Sequence, residues 1–173
     1  KKSLETELSY IILYDYIDGI SLGTYIEDNY EYLKNTSLTN IVSGMCKCIK
    51  FLHDNNIIHG DIKPENFIIT TTNDIKLIDF TCSLKYPPPE NKYHLRGTIY
   101  FICPELLYKH PVIEVCNDIW SLGISIYVIY VRDIPYNLIS DSFNDIFNCI
   151  ENYKITYSLL DEYPQIISLL KKI

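Results

Sequence analysis

The chain has 173 residues, 47% of them hydrophobic, and a formal net charge of −7. That length suits one sizeable core, the apolar fraction excludes a disordered polymer, and no apolar run approaches the ~20 residues that span a bilayer. The acidic balance disfavours nonspecific binding to nucleic acid, so neither a nucleic-acid nor a membrane partner is expected.

The first seven residues, Lys1 to Glu7, hold no apolar stretch of the signal-peptide kind, and a soluble cytoplasmic protein is expected. Leu8 to Tyr16 is rich in Ile, Leu and Tyr and predicts a buried strand. Asp18-Gly19 breaks it, and Ser21 caps a short helix over 21–30. Ile41, Val42, Met45, Ile49 and Leu52 form a helical stripe within Leu38 to Asp54, with Thr39 as its cap and Asn55-Asn56 as its end. Phe67 to Ile69 and Ile75 to Ile78 predict a hairpin around a Thr-Thr-Asn-Asp turn. Thr81 to Arg96 is polar, carries Pro87-Pro88-Pro89 and predicts an exposed loop. Asn117 to Val131 has no charge after Asp118 and predicts a central buried helix. Further helices are expected near 142–150 and 164–172.

Six cysteines occur, at 46, 48, 82, 103, 116 and 149, without a paired Cys-x-x-Cys array. Structural zinc is therefore not expected, and reduced thiols acting as small core residues are. There is no Ala and only two Arg, while Ile, Asn, Tyr and Lys abound. That bias suits AT-rich codons and a source such as a large DNA virus or an intracellular parasite, which would make the address a host cytoplasm.

The most informative stretch is His59-Gly60-Asp61-Ile62-Lys63-Pro64-Glu65-Asn66, followed beyond the hairpin by Asp79-Phe80-Thr81. Asp61 lies two residues before Lys63 and five before Asn66. A loop held between a helix and a hairpin can aim all three into one cleft. Each polar residue alone could merely cap a turn, but the ordered set argues otherwise.

The set resembles the catalytic loop and metal-binding Asp of eukaryotic-type protein kinases. The resemblance implies an α+β fold: a mostly helical large lobe with a small β-hairpin at the active site and the small lobe largely absent. Residues 1–16 would hold the last strands of the small lobe and the start of the hinge. Residues 17–173 would hold a large lobe that is incomplete at its C-terminal end. ATP and Mg²⁺ are the implied cofactors, and Ser/Thr hydroxyls of a protein the implied substrate. Asp61 would accept or orient the hydroxyl proton, and Lys63 would place a positive charge beside the transferred group. Asn66 and Asp79 would offer Mg²⁺ a neutral and a charged oxygen.

Further residues extend the resemblance. Asp15-Tyr16-Ile17 looks like the hinge, where the Asp15 carbonyl and Ile17 N–H would pair with adenine. Tyr14 would be the gatekeeper and Ile68 the floor under adenine. Gly97-Thr98 and Cys103-Pro104-Glu105 look like the end of an activation segment, with Thr98 bonded to Asp61 and Lys63. Asp118 to Gly123 looks like the start of the central helix, with Asp118 anchoring the catalytic-loop backbone. His59 and Phe80 would stack as packing residues. Aminoglycoside- and choline-phosphotransferase-like enzymes also carry His-Gly-Asp. Lys63-Pro64-Glu65 and the Gly-Thr to Cys-Pro-Glu segment favour a serine/threonine protein kinase instead.

Two residues depart from the family's pattern. Gly60 stands where an Arg usually pairs with an activation-loop phosphate, so activation without that clamp is expected. Thr81 stands where a Gly usually permits backbone freedom. The Gly-rich loop, the strand Lys and its Glu partner are not found in the chain. A weakly active segment is therefore expected in isolation, and a pseudokinase-like binding or scaffold module stays open as the alternative. Oligomeric state is left open.

Overall fold

Helix α2, Leu38–Asp54, is the element on which the others are laid. It buries Leu38, Ile41, Val42, Met45, Ile49 and Leu52, the stripe its 3.6-residue period requires. Burying each such side chain contributes about 1.5–3 kcal/mol. The structure, a computed structural model, describes residues 2–5, 10–33, 38–88, 97–107, 113–136, 142–152 and 157–172. Thr39 is not a cap, because the helix already begins at Leu38. Its side chain instead bonds Tyr130. Asn56 ends the helix in a left-handed conformation, φ 55°, which Asn tolerates better than most residues.

The preceding strands are β1 (Lys2–Glu5), β2 (Tyr10–Leu13) and β3 (Gly19–Ser21). The first two pair antiparallel in a sheet of their own, with Lys2 opposite Leu13. The expected buried strand is therefore short and largely uncovered: Ile12, Leu13 and Tyr14 are 54%, 51% and 60% exposed. An apolar run specifies a pleated surface but not whether a second layer covers it. Helix α1, Leu22–Leu33, starts after Ser21, whose Oγ accepts the Thr24 N–H at 3.2 Å.

Strands β4 (Ile57–Ile58), β5 (Phe67–Thr70), β6 (Ile75–Leu77) and β7 (Leu84–Lys85) frame the motif stretch. The predicted hairpin is β5–β6, and β3 joins its other edge to give the order β3-β5-β6. In register, Ile68 faces Ser21 on one side and Lys76 on the other. The expected loop from Thr81 is interrupted by β7, which pairs with β4, Ile57 opposite Lys85. A partner so distant in sequence leaves no local signal. Residues 89–96, with Pro89, lie outside the described residues.

Helix α3, Val115–Val131, runs through the centre. Glu114 and Asn117 form a reciprocal cap at its start, the Asn117 side chain accepting the Glu114 N–H at 2.7 Å. Leu122, Ile126, Ile129 and Tyr130 face α1 and α2 across the main core. Ile124 joins Phe101, Tyr136, Ile146 and Ile150 in a second cluster. A helix buried on both sides has no room for charge, which explains its composition. Helices α4 (Phe143–Glu151) and α5 (Pro164–Leu170) close the two clusters. No described helix is long and apolar enough to cross a membrane.

Helix α2 meets β6 at Gly44, where an added Cβ would come 2.5 Å from Ile75 Cγ1 and 2.8 Å from its Cβ. Gly44→Ala gains about 1 kcal/mol of helix propensity but loses more to overpacking. A net loss of about 1–2 kcal/mol is expected in urea denaturation, smaller when Ile75 is simultaneously Ala.

Candidate active site

Backbone amides of the loop after β4 hang from one carboxylate on α3. Asp118 is 1% exposed. Its Oδ2 accepts the His59 N–H at 2.8 Å and its Oδ1 the Gly60 N–H at 2.9 Å. His53 Nε2, from the last turn of α2, reaches Oδ2 at 3.0 Å. Such a buried carboxylate is tolerated because donors surround it. His59 is fully buried and bonds in two directions. Nδ1 accepts the Asp61 N–H at 3.3 Å, so the proton sits on Nε2, 3.0 Å from the Ile78 carbonyl. One ring thus ties the backbone of Asp61 to the residue before Asp79. His59 and Phe80 meet edge to face, centroids 5.1 Å apart.

Gly60 has φ +79°, and a Cβ there would lie 2.8 Å from the Cys82 carbonyl. Gly97 has φ +95°, and its Cβ would lie 2.5 Å from the Gly60 carbonyl. Three backbone segments therefore cross where two of them carry no side chain. This close crossing brings Thr98 to Asp61.

The Thr98 N–H and Oγ1 both donate to Asp61 Oδ1, at 2.8 and 2.9 Å. Lys63 Nζ lies 3.0 Å from Asp61 Oδ2 and donates to Thr98 Oγ1 at 2.7 Å. Asn66 Nδ2 reaches the Asp61 carbonyl at 2.7 Å and Oδ2 at 3.1 Å. Burial works against ionisation of Asp61. The hydrogen bonds from Lys63 and Thr98, the Lys63 charge and the Asn66 bond outweigh it, and its pKa falls below the ordinary aspartate value.

Asn66 is buried in the single turn Pro64–Asn66, and with Nδ2 bound to Asp61 its Oδ1 is the remaining acceptor. Asp79 is exposed, holds a left-handed backbone with φ 60°, and accepts the Thr81 hydroxyl on Oδ1 at 2.7 Å. Two hard oxygens, one neutral and one charged, fit Mg²⁺, which keeps several waters and takes few protein ligands.

Of the residues expected to form a hinge, Asp15 is exposed and Ile17 half-buried in the connection between β2 and β3. Ile68 lies in the central strand, and its Cγ2 is 2.7 Å from where a Gly19 Cβ would stand. From residues 15–17 the chain enters β3, which pairs with the strand that bears Ile68, Ser21 opposite Ile68 and Gly19 opposite Thr70. Past Thr98, Phe101 to Cys103 is fixed on α3: Asn117 Nδ2 donates to Cys103 Sγ at 3.0 Å, and Ser121 Oγ to the Phe101 carbonyl at 2.7 Å. Burial pushes the Cys103 thiol up to about 11, so it is inert core matter.

A family model, protein kinase domain, matches residues 1–172. The chain belongs to the protein kinase family. It is 33% identical to protein kinase kin1 of Schizosaccharomyces pombe over 132 residues, 76% of this chain and 15% of that one. It is 29% identical to calcium-dependent protein kinase 4 of Plasmodium berghei over 184 aligned positions, 92% of this chain and 34% of that one. The KIN1 homologue of Enterocytozoon bieneusi, named as a serine/threonine-protein kinase, is 33% identical over 74% of this chain and 21% of its own length. The chain spans about a third or less of these kinases.

Of the residues expected at the site, Asp61, Lys63, Asn66 and Thr98 meet in one hydrogen-bonded cluster, and Asp118 holds the amides of His59 and Gly60 just before it. Sequence reasoning missed His53, whose bond to Asp118 crosses 65 positions, and Ser83, whose Oγ donates to the His59 carbonyl at 3.1 Å. It also missed the Thr81 hydroxyl, which only the left-handed turn at Asp79 reveals.

Asp118→Ala leaves two amides without acceptors and should cost about 3–5 kcal/mol in urea denaturation, with Asp118→Asn losing less. Because the folded pKa of Asp61 lies below the unfolded one, ionised Asp61 contributes stability above the unfolded value that is lost as pH falls through the folded value. Urea midpoints measured below about pH 5 should therefore fall less steeply with acid in Asp61→Asn than in the native protein.

Proposed function

We propose that this chain is the catalytic segment of an ATP- and Mg²⁺-dependent serine/threonine protein kinase acting in the cytoplasm. On this reading residues 1–16 form the end of the small lobe and the start of the hinge, and 17–173 belong to the large lobe. The observation that carries it is the closed network of Asp61, Lys63 and Thr98, with Thr98 Oγ1 2.7 Å from Lys63 and 2.9 Å from Asp61.

The network suggests how the residues act. A carboxylate offers about four lone-pair sites, and Thr98, Lys63 and Asn66 fill those of Asp61 with four donors. A substrate hydroxyl gains a place at Oδ2 when Lys63 turns toward the negative charge of the phosphoryl group in flight. Asp61, held ionised, then orients that hydroxyl and takes its proton. Thr98 keeps Oδ1 fixed and Asn66 still donates to Oδ2, so the position Lys63 leaves on Oδ2 faces one direction. Mg²⁺, when bound at Asn66 and Asp79, neutralises charge on the transferred group. The Asp15 carbonyl and Ile17 N–H hold adenine over Ile68. Gly60 cannot pair with an activation-loop phosphate, so activity needs no such clamp.

Radioactive phosphate transfer to a Ser/Thr peptide library by the full-length product tests the reading. Asp61→Asn and Asp79→Asn should each lose at least about 10²-fold. Equal incorporation by all three would sink the catalytic roles and leave a binding module.

A further inference from the structure

Thr81 stands two residues after Asp79, and both of its donors converge on one carboxylate oxygen. The hydroxyl reaches Asp79 Oδ1 at 2.7 Å and the N–H reaches the same oxygen at 3.3 Å. An oxygen with about two lone-pair directions is filled by that pair. The hydroxyl bond is charge-assisted and short, so it is the stronger of the two. Asp79 Oδ2 accepts no hydrogen bond among the described residues. The turn is pinned further by the left-handed backbone of Asp79, φ 60° and ψ 75°, from which the side chain folds back over Thr81.

Protein kinases commonly hold two cations between this Asp and the catalytic-loop Asn. One Asp serves two cations most readily when neither of its oxygens is already occupied by strong donors from the protein. Here the protein offers one oxygen from each residue: Asn66 Oδ1, since Nδ2 is bound to Asp61, and Asp79 Oδ2. One neutral and one charged oxygen, with phosphate oxygens and water, would suit a single Mg²⁺.

We propose that the Thr81 hydroxyl confines Asp79 to one metal-binding oxygen, so that this site takes one divalent cation per bound nucleotide rather than two. The inference rests on the phosphoryl-transfer reading of the site. It turns on the hydroxyl, because a glycine at this position keeps the N–H and loses only the stronger bond. Thr81 acts through Asp79 and is a positioning residue. Its side chain is exposed, so exchanging it leaves the core untouched.

Mn²⁺ is the probe. Full-length protein is saturated with a non-hydrolysable ATP analogue, whose own binding is checked by calorimetry, and bound Mn²⁺ is counted from the loss of the free-ion electron paramagnetic signal. The native protein and Thr81→Ser should hold one Mn²⁺ per nucleotide complex. Thr81→Val and Thr81→Gly should each hold two. Two ions in the native protein, or one in both Thr81→Val and Thr81→Gly, would overturn the inference while nucleotide binding leaves the functional reading standing. No nucleotide binding by the native protein would overturn both together.

Discussion

The buried carboxylate of Asp118 is the constraint on which the site depends. It sits at the start of a helix packed on both sides, so its position is set by the core. From there it accepts the amides of His59 and Gly60 and the ring of His53. The loop between β4 and β5 is therefore anchored by α3 and α2, while bonds among its own residues set its finer shape. A loop fixed this way can present side chains with little conformational freedom left to lose on binding.

Electrostatics at Asp61 follow from that placement. The carboxylate is largely withdrawn from water yet keeps a lowered pKa, because Lys63, Thr98 and Asn66 all donate to it. Charge and hydrogen bonds outweigh burial here, the reverse of what happens at the Cys103 thiol. The same fold therefore keeps one group ionised and another neutral within one protein kinase domain.

Much of this was legible in the sequence. Helix α2 and the β5–β6 hairpin follow from local periodicity and turn chemistry, which act over a few residues. The meeting of Asp61, Lys63 and Thr98 was legible only through a motif, since nothing in residues 61–63 by themselves points to residue 98. What stayed hidden is what tertiary partners decide. The exposure of Ile12 and Leu13 depends on which layers cover β2, and the β4–β7 pair joins residues nearly thirty positions apart. Thr39 missed its expected role because a cap depends on where the first turn starts, which a stripe of apolar residues locates only to within a residue or two.

The crossing of residues 60, 82 and 97 bears on how such a chain can change. Gly60 leans on the Cys82 carbonyl, and Gly97 leans on the Gly60 carbonyl. A side chain introduced at either glycine displaces backbone, not a rotamer, and the displaced backbone belongs to the neighbouring segment. Substitutions at these positions are therefore epistatic: the fitness of one depends on the state of the others. A lineage that starts from glycine at 60 reaches any larger residue there through coordinated shifts around 82 and 97, a narrow mutational path whatever the new side chain might offer.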